Sequence, residues 1–488
     1  MFKNAVIYGS DAYAIAVANA LKDESPARFK LVGFIDNINL NDSVKRILNL
    51  PILNHNKSIN LILSDLNANT IIIVEKNLTK TEKIAIIEEC LEFNIKVFNV
   101  PIISDLKDLN QISKNVKNFE IEDLLDKKLI ELDKSQISNH LKAKVILITG
   151  AAGSIGNEIT RQILKFEPNE IIILDQAETP LHELRLSLKN ENGKVKIRNL
   201  LSDIRDFESL ENIFKIYKPD IVYHAAAYKH VPIIEENPVQ AVYTNIVGTK
   251  NLADLSQKYN VEKFVMISTD KAVNPSNVMG ASKRIAEKYV QSLHFKINNE
   301  NFENRTKFIT TRFGNVLGSN GSIVPLFKNQ IQNGGPLTIT HTEIIRYFMT
   351  IHEACQLVLE AGSMGKGGEI YFFDMGQPIK IIELANKMIK LAGFIPNKDI
   401  KIEIIGLRPG EKLFEELINH NSKTLPTQND KILITQNNFE DFDAINNCIL
   451  DLNINAKKMT NNEIVTIMKS IVPEFISQNS VFEKLDSI

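Results

Sequence analysis

The sequence predicts an α/β protein with two parallel-sheet domains. Three observations carry that reading. Short β-branched runs alternate with amphipathic helical stretches, the alternation starts twice, and the second start runs into a glycine-rich turn. Apolar runs this short read as strands buried on both faces. Their alternation with helices implies parallel sheets joined by right-handed crossovers. A chain of 488 residues holds two or three domains at about 150 residues each.

The first set of strands comprises NAVIYG (4–9), GFIDN (33–37) and NTIIIVEK (69–76) and fades near Pro101. It defines a Rossmann-like domain over 1–105. A polar, helical-looking connector follows over 106–142, with IEDLLDKK (121–128) and LDKSQISNHL (132–141). The second set, KVILITG (144–150), EIIILDQ (170–176), DIVYHAAA (220–227) and KFVMISTD (263–270), opens a second domain over 143–440. A helical segment over 441–488 closes the chain and carries no catalytic pattern.

Composition removes several function classes. Lys+Arg number 57 against 59 Asp+Glu, a formal net charge of -2, so no concentrated positive face calls for nucleic acid. Cys90, Cys355 and Cys448 are too scattered for a disulfide framework or a CxxC metal site, and no metal is expected. A reducing, cytoplasmic setting fits them. No apolar run reaches the roughly 18 residues of a membrane span. The N-terminal apolar stretch is broken by Gly9, Ser10 and Asp11, which suits strand, turn and helix rather than a signal peptide.

The most informative motif is Thr149-Gly150-Ala151-Ala152-Gly153-Ser154-Ile155-Gly156, between a strand and the helix NEITRQILKF. Gly150 permits the tight turn, Gly153 clears space for a pyrophosphate, and Gly156 lets the helix pack on the strand. The helix N-terminus, with Ser154 and Ile155, then presents free N–H groups to phosphate. Asp175 ends the next strand. Its carboxylate can accept from the ribose hydroxyls, which favours NAD over NADP. Asp203 and Ile204 follow the third strand; Asp203 reads either as a contact to the adenine amino group or as a turn aspartate. The first domain keeps only Gly9 of such a loop, and Asp11 would repel a pyrophosphate. That domain reads as a scaffold or oligomer-building unit, with a retained nucleotide ligand as the alternative.

At TGAAGSIG the chain resembles the extended short-chain dehydrogenase/reductase family. Further motifs narrow the resemblance: HAAAYKHVP (224–232), STDKAVNPSNVMGASKR (268–284), RFGNVLGSNGSIVPLF (312–327), IRYFMT (345–350) and LRPGEKLFEEL (407–417). Together they resemble the nucleotide-sugar 4,6-dehydratases of bacterial glycan synthesis, in particular the UDP-N-acetylglucosamine 4,6-dehydratases. Such a fold ends in a C-terminal substrate-binding subdomain. The resemblance is close over about 118–420 and loose over 1–117. Many large members of that group begin with several membrane helices, whereas this chain starts at its first soluble domain.

One departure bears on mechanism. The wider family uses a Tyr-xxx-Lys pair, and here Met279 precedes Lys283. Methionine carries no useful proton. The Met-xxx-Lys form resembles the dehydratase branch that retains configuration at C5.

The resemblance implies the following roles. Thr269 hydrogen-bonds the C4 oxygen of the sugar and is a relay candidate for its proton. Asp270, with a pKa raised by burial, protonates the leaving C6 hydroxyl. Lys271, with a pKa lowered by desolvation and by Lys283, removes the C5 proton. Lys283 binds the nicotinamide ribose. Asn245, Ala225, Ala226 and Ala227 line the cofactor site, while Lys229, His230 and Asn315 face the sugar. Thr338 and Thr340, in PLTIT, bracket the uridine. Arg346 and Arg408 are diphosphate binders by guanidinium geometry, and Glu411 either holds an arginine or contacts the nucleotide. The expected partners are a UDP-sugar and further copies of the chain. The expected function is a NAD-dependent UDP-N-acetylglucosamine 4,6-dehydratase. A UDP-sugar 4-epimerase and a non-catalytic nucleotide-sugar scaffold are the alternatives.

Overall fold

The computed structural model describes residues 3–36, 46–74, 78–100, 117–118, 121, 132–189, 191, 193, 195–300, 306–418, 424–435 and 440–486. Most of the expected 106–142 connector lies outside the described residues. Contacts divide the chain into two units. One comprises Met1–Lys128, Leu326–Ile339 and Ile382–Ile404; the other comprises Leu129–Pro325, Thr340–Ile381 and Ile405–Ile488. Two segments of the expected 143–440 domain therefore group with the first unit.

In the first unit the strand Lys3–Tyr8 sits centrally in a seven-stranded sheet, flanked in parallel by Phe29–Asp36 and Thr70–Ile73. Its loop is not arranged for phosphate. Asp11 caps the helix Ala12–Lys22, its Oδ1 accepting from the Ala14 N–H at 2.7 Å. A carboxylate thus takes the helix end that an anion would need. Ser10 donates to Asp36, the acid closing the next strand, which is only 6% exposed. Within the same unit, Lys387 of the helix Ile381–Leu391 pairs with Glu88 at 2.7 Å.

The second unit holds a nine-stranded sheet. Its spatial order is Lys196–Leu201, Glu170–Asp175, Val145–Thr149, Ile221–His224, Lys263–Thr269, Lys307–Phe313, Ile370–Phe373, Ile432–Thr435 and Thr424–Pro426. The first seven run parallel; the last two join antiparallel. Strand order reverses between Val145–Thr149 and Ile221–His224, the switch point where open α/β sheets bind ligands beyond the strand ends. Residues such as Ile146, Leu147, Ile148, Val222 and Phe264 have no exposed surface, as strands covered on both faces require. Both motif clusters, TGAAGSIG and Thr269-Asp270-Lys271, leave this sheet at its carboxyl edge. The 441–488 segment forms the helices Phe442–Asn455 and Asn461–Ile471, packed on the helix Val278–Asn299.

Candidate active site

The first cluster is a cleft at the switch point. Gly150, Gly153, Asp175, Asp203, Ile204 and Ala225 to Ala227 line it together. Gly150 has φ +64°, and a Cβ there would lie 2.6 Å from the backbone of Ala226. A Cβ on Gly153 would meet only the Gly150 carbonyl, at 3.2 Å, so that face stays open for a phosphate. The helix Ser154–Leu164 starts here with Gly153 at its N-cap and no side chain capping it. Its terminal N–H groups are thus left to a ligand, the opposite of the first unit's arrangement.

The acids behave differently from each other. Asp175 accepts from Ala152 N–H at 3.0 Å and Ala177 N–H at 2.9 Å, which fixes its carboxylate at the rim. Asp203 is committed to Arg205, whose Nε donates at 2.8 Å. Burial raises its pKa, but the Arg205 hydrogen bonds and charge outweigh this and lower it overall. Asn245 departs from expectation. It has no exposed surface, its amide clasps both backbone groups of Tyr228, and it accepts nothing from the cleft. It supports the loop that follows strand Ile221–His224 from behind. Its neighbour Thr244 lines the cleft instead, on a π-helical turn over Val242–Val247. The Thr244 hydroxyl is buried without a partner. Sequence spacing could not find it, because the π turn shifts which side chain faces inward. A glycine cradle, an uncapped helix end, a rim carboxylate and an orphaned hydroxyl fit a dinucleotide.

The second cluster lies where strand Lys263–Thr269 ends. Thr269 Oγ1 donates to Asp270 Oδ1 at 2.9 Å, and Lys271 Nζ reaches the same oxygen at 3.0 Å. Lys271 Nζ also contacts Asn315 Oδ1 at 3.3 Å and Glu415 at 3.7 Å. Asp270 is 2% exposed, and its other oxygen, Oδ2, is buried without a partner. The expected lowering of the Lys271 pKa is corrected by this geometry. Burial pulls the ammonium down, but the carboxylates of Asp270 and Glu415 outweigh it and hold the pKa above the usual lysine range. The charges acting on it come from these two and Arg346, not from Lys283.

Lys283 does show the downward shift. It is 4% exposed in the helix Val278–Asn299, and burial lowers its pKa to about 8, with Glu287 opposing. The neighbouring His224 is fully buried between Thr149 and Thr249 hydroxyls and is kept neutral by burial and by Lys283. Met279 is 3% exposed within the apolar core and offers the site no proton. Beneath the strand Lys263–Thr269, Glu287 accepts from Ser268 Oγ at 2.6 Å and Arg312 Nε at 2.7 Å. This buried pair sets the strand end; Arg312 opens the RFGNVLGSNGSIVPLF motif, but Glu287 lies in none.

Arg346 is corrected as a diphosphate ligand. It is 7% exposed, and its guanidinium donates to the carbonyls of Ile345, Leu413 and Lys412. It also pairs with Glu411 at 3.5 Å and Glu415 at 3.9 Å. Arg408 is largely exposed and pairs with Glu411 at 3.1 Å, so Glu411 holds two arginines, and only Arg408 has donors to spare for a ligand. Replacing Arg346 with alanine leaves Glu411 to Arg408 and Glu415 to Lys271 but removes the donor to three carbonyls, and should cost about 1–3 kcal/mol in denaturant unfolding. Arg408→Ala should stay within about 0.5 kcal/mol.

His230 is exposed and packs against Gly321, and the Asn320 N–H donates to Ser154 Oγ at 3.1 Å, joining that loop to the cofactor turn. Lys229 is exposed beside it. Thr340 is buried in the second unit. Thr338 belongs to the first unit; its N–H donates to Gln330 Oε1 at 3.2 Å and its hydroxyl accepts from Gln330 Nε2 at 2.8 Å.

With this geometry in view, comparison with known proteins is decisive at the family level. Residues 146–437 match the polysaccharide biosynthesis protein family. The chain belongs to that family. The chain is 41% identical to the "Probable polysaccharide biosynthesis protein EpsC" of Bacillus subtilis over 86% of its own length and 68% of that protein's. It is 39% identical to a UDP-N-acetylglucosamine 4,6-dehydratase (inverting) of Campylobacter jejuni, over 58% of this chain and 79% of that one. It is 38% identical to a UDP-glucose 4-epimerase of Rickettsia bellii, over 57% and 78%. Among solved structures, Pen from Bacillus thuringiensis superposes with a TM-score of 0.56 at 33% identity, covering 62% of this chain and 90% of that chain. The family thus has dehydratases and epimerases of nucleotide sugars as neighbours. Among the described residues no helix is long and apolar enough to cross a membrane.

Proposed function

We propose that the protein is a UDP-N-acetylglucosamine 4,6-dehydratase that retains C5 configuration, uses bound NAD, and serves bacterial surface glycan synthesis as a cytoplasmic homo-oligomer. One observation carries the reading: buried Asp270 and half-buried Lys271, 3.0 Å apart, with Asp270 Oδ2 unpartnered. A dehydratase needs a base at C5 and an acid at C6 together, and an epimerase needs neither.

Gly150, Gly153 and the Ser154 helix end would hold the pyrophosphate of NAD, Asp175 its adenosine ribose, and Lys283 its nicotinamide ribose. Bound there, NAD supplies the hydride acceptor for C4 and the hydride donor for C6. Thr269 orients the C4 oxygen. The pair shares one proton. In the resting state it is an ammonium and a carboxylate. A substrate that covers the partly exposed lysine removes water and favours the neutral form. That form is an amine ready for the C5 proton beside an acid ready for the C6 oxygen. Elimination returns the pair to its charged form, and Lys271 then gives the proton back to C5; the proton released from the C4 hydroxyl on oxidation, relayed through Thr269 to Asp270, replaces the one that left in water. Arg408 meets the diphosphate, while Lys229, His230 and Asn315 face the sugar.

The test is turnover of a nucleotide-sugar panel followed by product mass. The reading expects loss of one water from UDP-N-acetylglucosamine with no NADH accumulated, and solvent deuterium at C5 with configuration kept. Similarity to the Rickettsia bellii protein favours a UDP-sugar 4-epimerase as the second reading, which predicts a product of unchanged mass. Met279 argues against it, since reversible C4 redox relies on the phenol that the wider family places there. Binding of NAD and UDP-sugar without any turnover would point to a scaffold.

A pH effect follows from the shared proton. The active form loses that proton on the alkaline side, at the raised pKa of Lys271. Glu415→Gln removes one of the carboxylates that raise it. The alkaline limb of kcat/KM should move to lower pH. A limb that stays put or moves upward contradicts the assignment.

A further inference from the structure

The chain after Ile471 carries no motif of its own and lies beyond the 146–437 family match, yet it packs on two loops that do carry motifs. It pairs by backbone with the loop just after the catalytic triplet. Ile476 N–H donates to the Pro275 carbonyl at 3.1 Å and Gln478 N–H to the Ser276 carbonyl at 3.1 Å. The same segment holds the loop that carries Arg408. Gly410 N–H donates to the Gln478 carbonyl at 2.8 Å, and the Asn479 amide donates to the Glu411 carbonyl at 3.2 Å. On its other side, the Gly410 carbonyl accepts from Ser276 Oγ at 3.0 Å and Asn277 Nδ2 at 2.9 Å. Both polar groups of Gly410 are therefore clamped, at a residue with φ +77° where a Cβ would sit 2.5 Å from Asn277 Cβ.

A buried acid completes the clasp. Glu235 is 6% exposed. Its Oε1 accepts from Val278 N–H at 2.6 Å and its Oε2 from Ser480 Oγ at 2.7 Å. Burial pushes its carboxyl up, and these two donors pull it back. Further down, Lys469 ties the segment to itself through Ser477 Oγ at 2.9 Å, and Glu474 anchors it to Arg284 at 3.0 Å. The anchoring helix Val278–Asn299 is the one that carries Lys283.

We propose that residues 474–480 form a strap that positions Arg408, by clasping the Gly410 peptide against the 275–278 loop, and so sets the affinity for the substrate's diphosphate. This rests on the reading of Arg408 as the diphosphate ligand. The strap touches no reacting atom; Gln478 and Ser480 are positioning residues acting through Gly410 and Glu235. The segment that the sequence left without a role thereby becomes a substrate-affinity element.

The experiment uses the full chain loaded with NAD. Ser480→Ala removes the hydroxyl that Glu235 accepts from, and Ser480→Thr restores one. Ser480→Ala should raise KM for UDP-N-acetylglucosamine, and the dissociation constant of UDP, by about fivefold, the weight of one hydrogen bond. Meanwhile kcat and NAD affinity should stay within about twofold, and Ser480→Thr should recover most of the loss. In an Arg408→Ala background the same change should add little, because the two act on one contact. Amide hydrogen exchange reads the strap without any substrate. Residues 406–411 and 276–278 should lose protection in Ser480→Ala, while 150–156 keep theirs. A chain stopped after residue 472 should show the same pattern more strongly. Unchanged KM, UDP affinity and protection in Ser480→Ala would overturn the proposal, as would an equal fall in kcat with KM unmoved. A parent protein that binds no UDP, yet loses protection at 406–411 in the variant, would instead refute the diphosphate reading and leave the clasp standing.

Discussion

Lys271→Met should reduce turnover of the nucleotide sugar by about 10²–10⁴-fold, the range by which a positioned base accelerates proton transfer. The loss should fall on kcat, since methionine keeps the length of the stem and removes only the nitrogen. Nothing in the dinucleotide cleft touches that nitrogen: its partners are Asp270, Asn315 and Glu415. Cofactor content should therefore equal that of the parent, which separates a chemical defect from an unloaded protein. The fold should tolerate the change, at a cost set by the two carboxylates left behind. Asp270 keeps its Thr269 donor and Glu415 keeps Arg346. Lys271→Arg is the sharper control. It preserves the charge that the carboxylates need, but a guanidinium does not deprotonate. It should be nearly as inactive as methionine while being more stable. Arginine retaining a tenth or more of parental kcat would show that the positive charge, and not proton removal, is what the site requires of position 271.

What the sequence disclosed and what it withheld separate along a physical line. The glycine turn and Thr269-Asp270-Lys271 are contiguous, and strand-turn-helix grammar fixes where contiguous residues go. Their placement at the carboxyl edge of one sheet follows from that grammar. The sign of the Lys271 shift did not. It is the balance of burial against adjacent Asp270 and against Glu415, and Glu415 is distant along the chain and arrives through the packing of the RPGEK loop. Arg346 misled for the same reason. Its motif suggests a phosphate fork, but three carbonyls and two glutamates had already claimed its donors. Glu287 with Arg312, and the 474–480 strap, are likewise built from segments far apart in the chain, and no local period reports them. Asn245 was found at the right turn of the chain and given the wrong face, because the π-helical turn carries Thr244 inward in its stead.

Gly156→Ala should empty the cofactor cleft. A Cβ at 156 would lie 2.3 Å from the Gly150 carbonyl oxygen and 2.7 Å from Ala151 Cα. Both are backbone atoms of the turn itself, so no side chain can swing aside to make room. The helix Ser154–Leu164 must tilt away from the strand, or the turn must open. Either movement takes the uncapped N–H groups off the line of the pyrophosphate. The overlap should cost about 1–3 kcal/mol of stability, as overpacking in a tight core does. That is a tolerable loss for a folded chain of this size. The effect on the ligand should be far larger, because helix-end N–H groups act only within their first turn. Purified Gly156→Ala should carry less than about a tenth of the parent's bound dinucleotide, since 1.4 kcal/mol is already tenfold in affinity. Circular dichroism should show a folded protein, and added NAD should restore turnover only at high concentration. The corresponding change in the first unit supplies the contrast. Gly9→Ala alters a loop whose helix end is already occupied by Asp11. It should leave dinucleotide content unchanged, because the proposed dinucleotide cleft is built on the Gly150–Gly156 turn of the second unit.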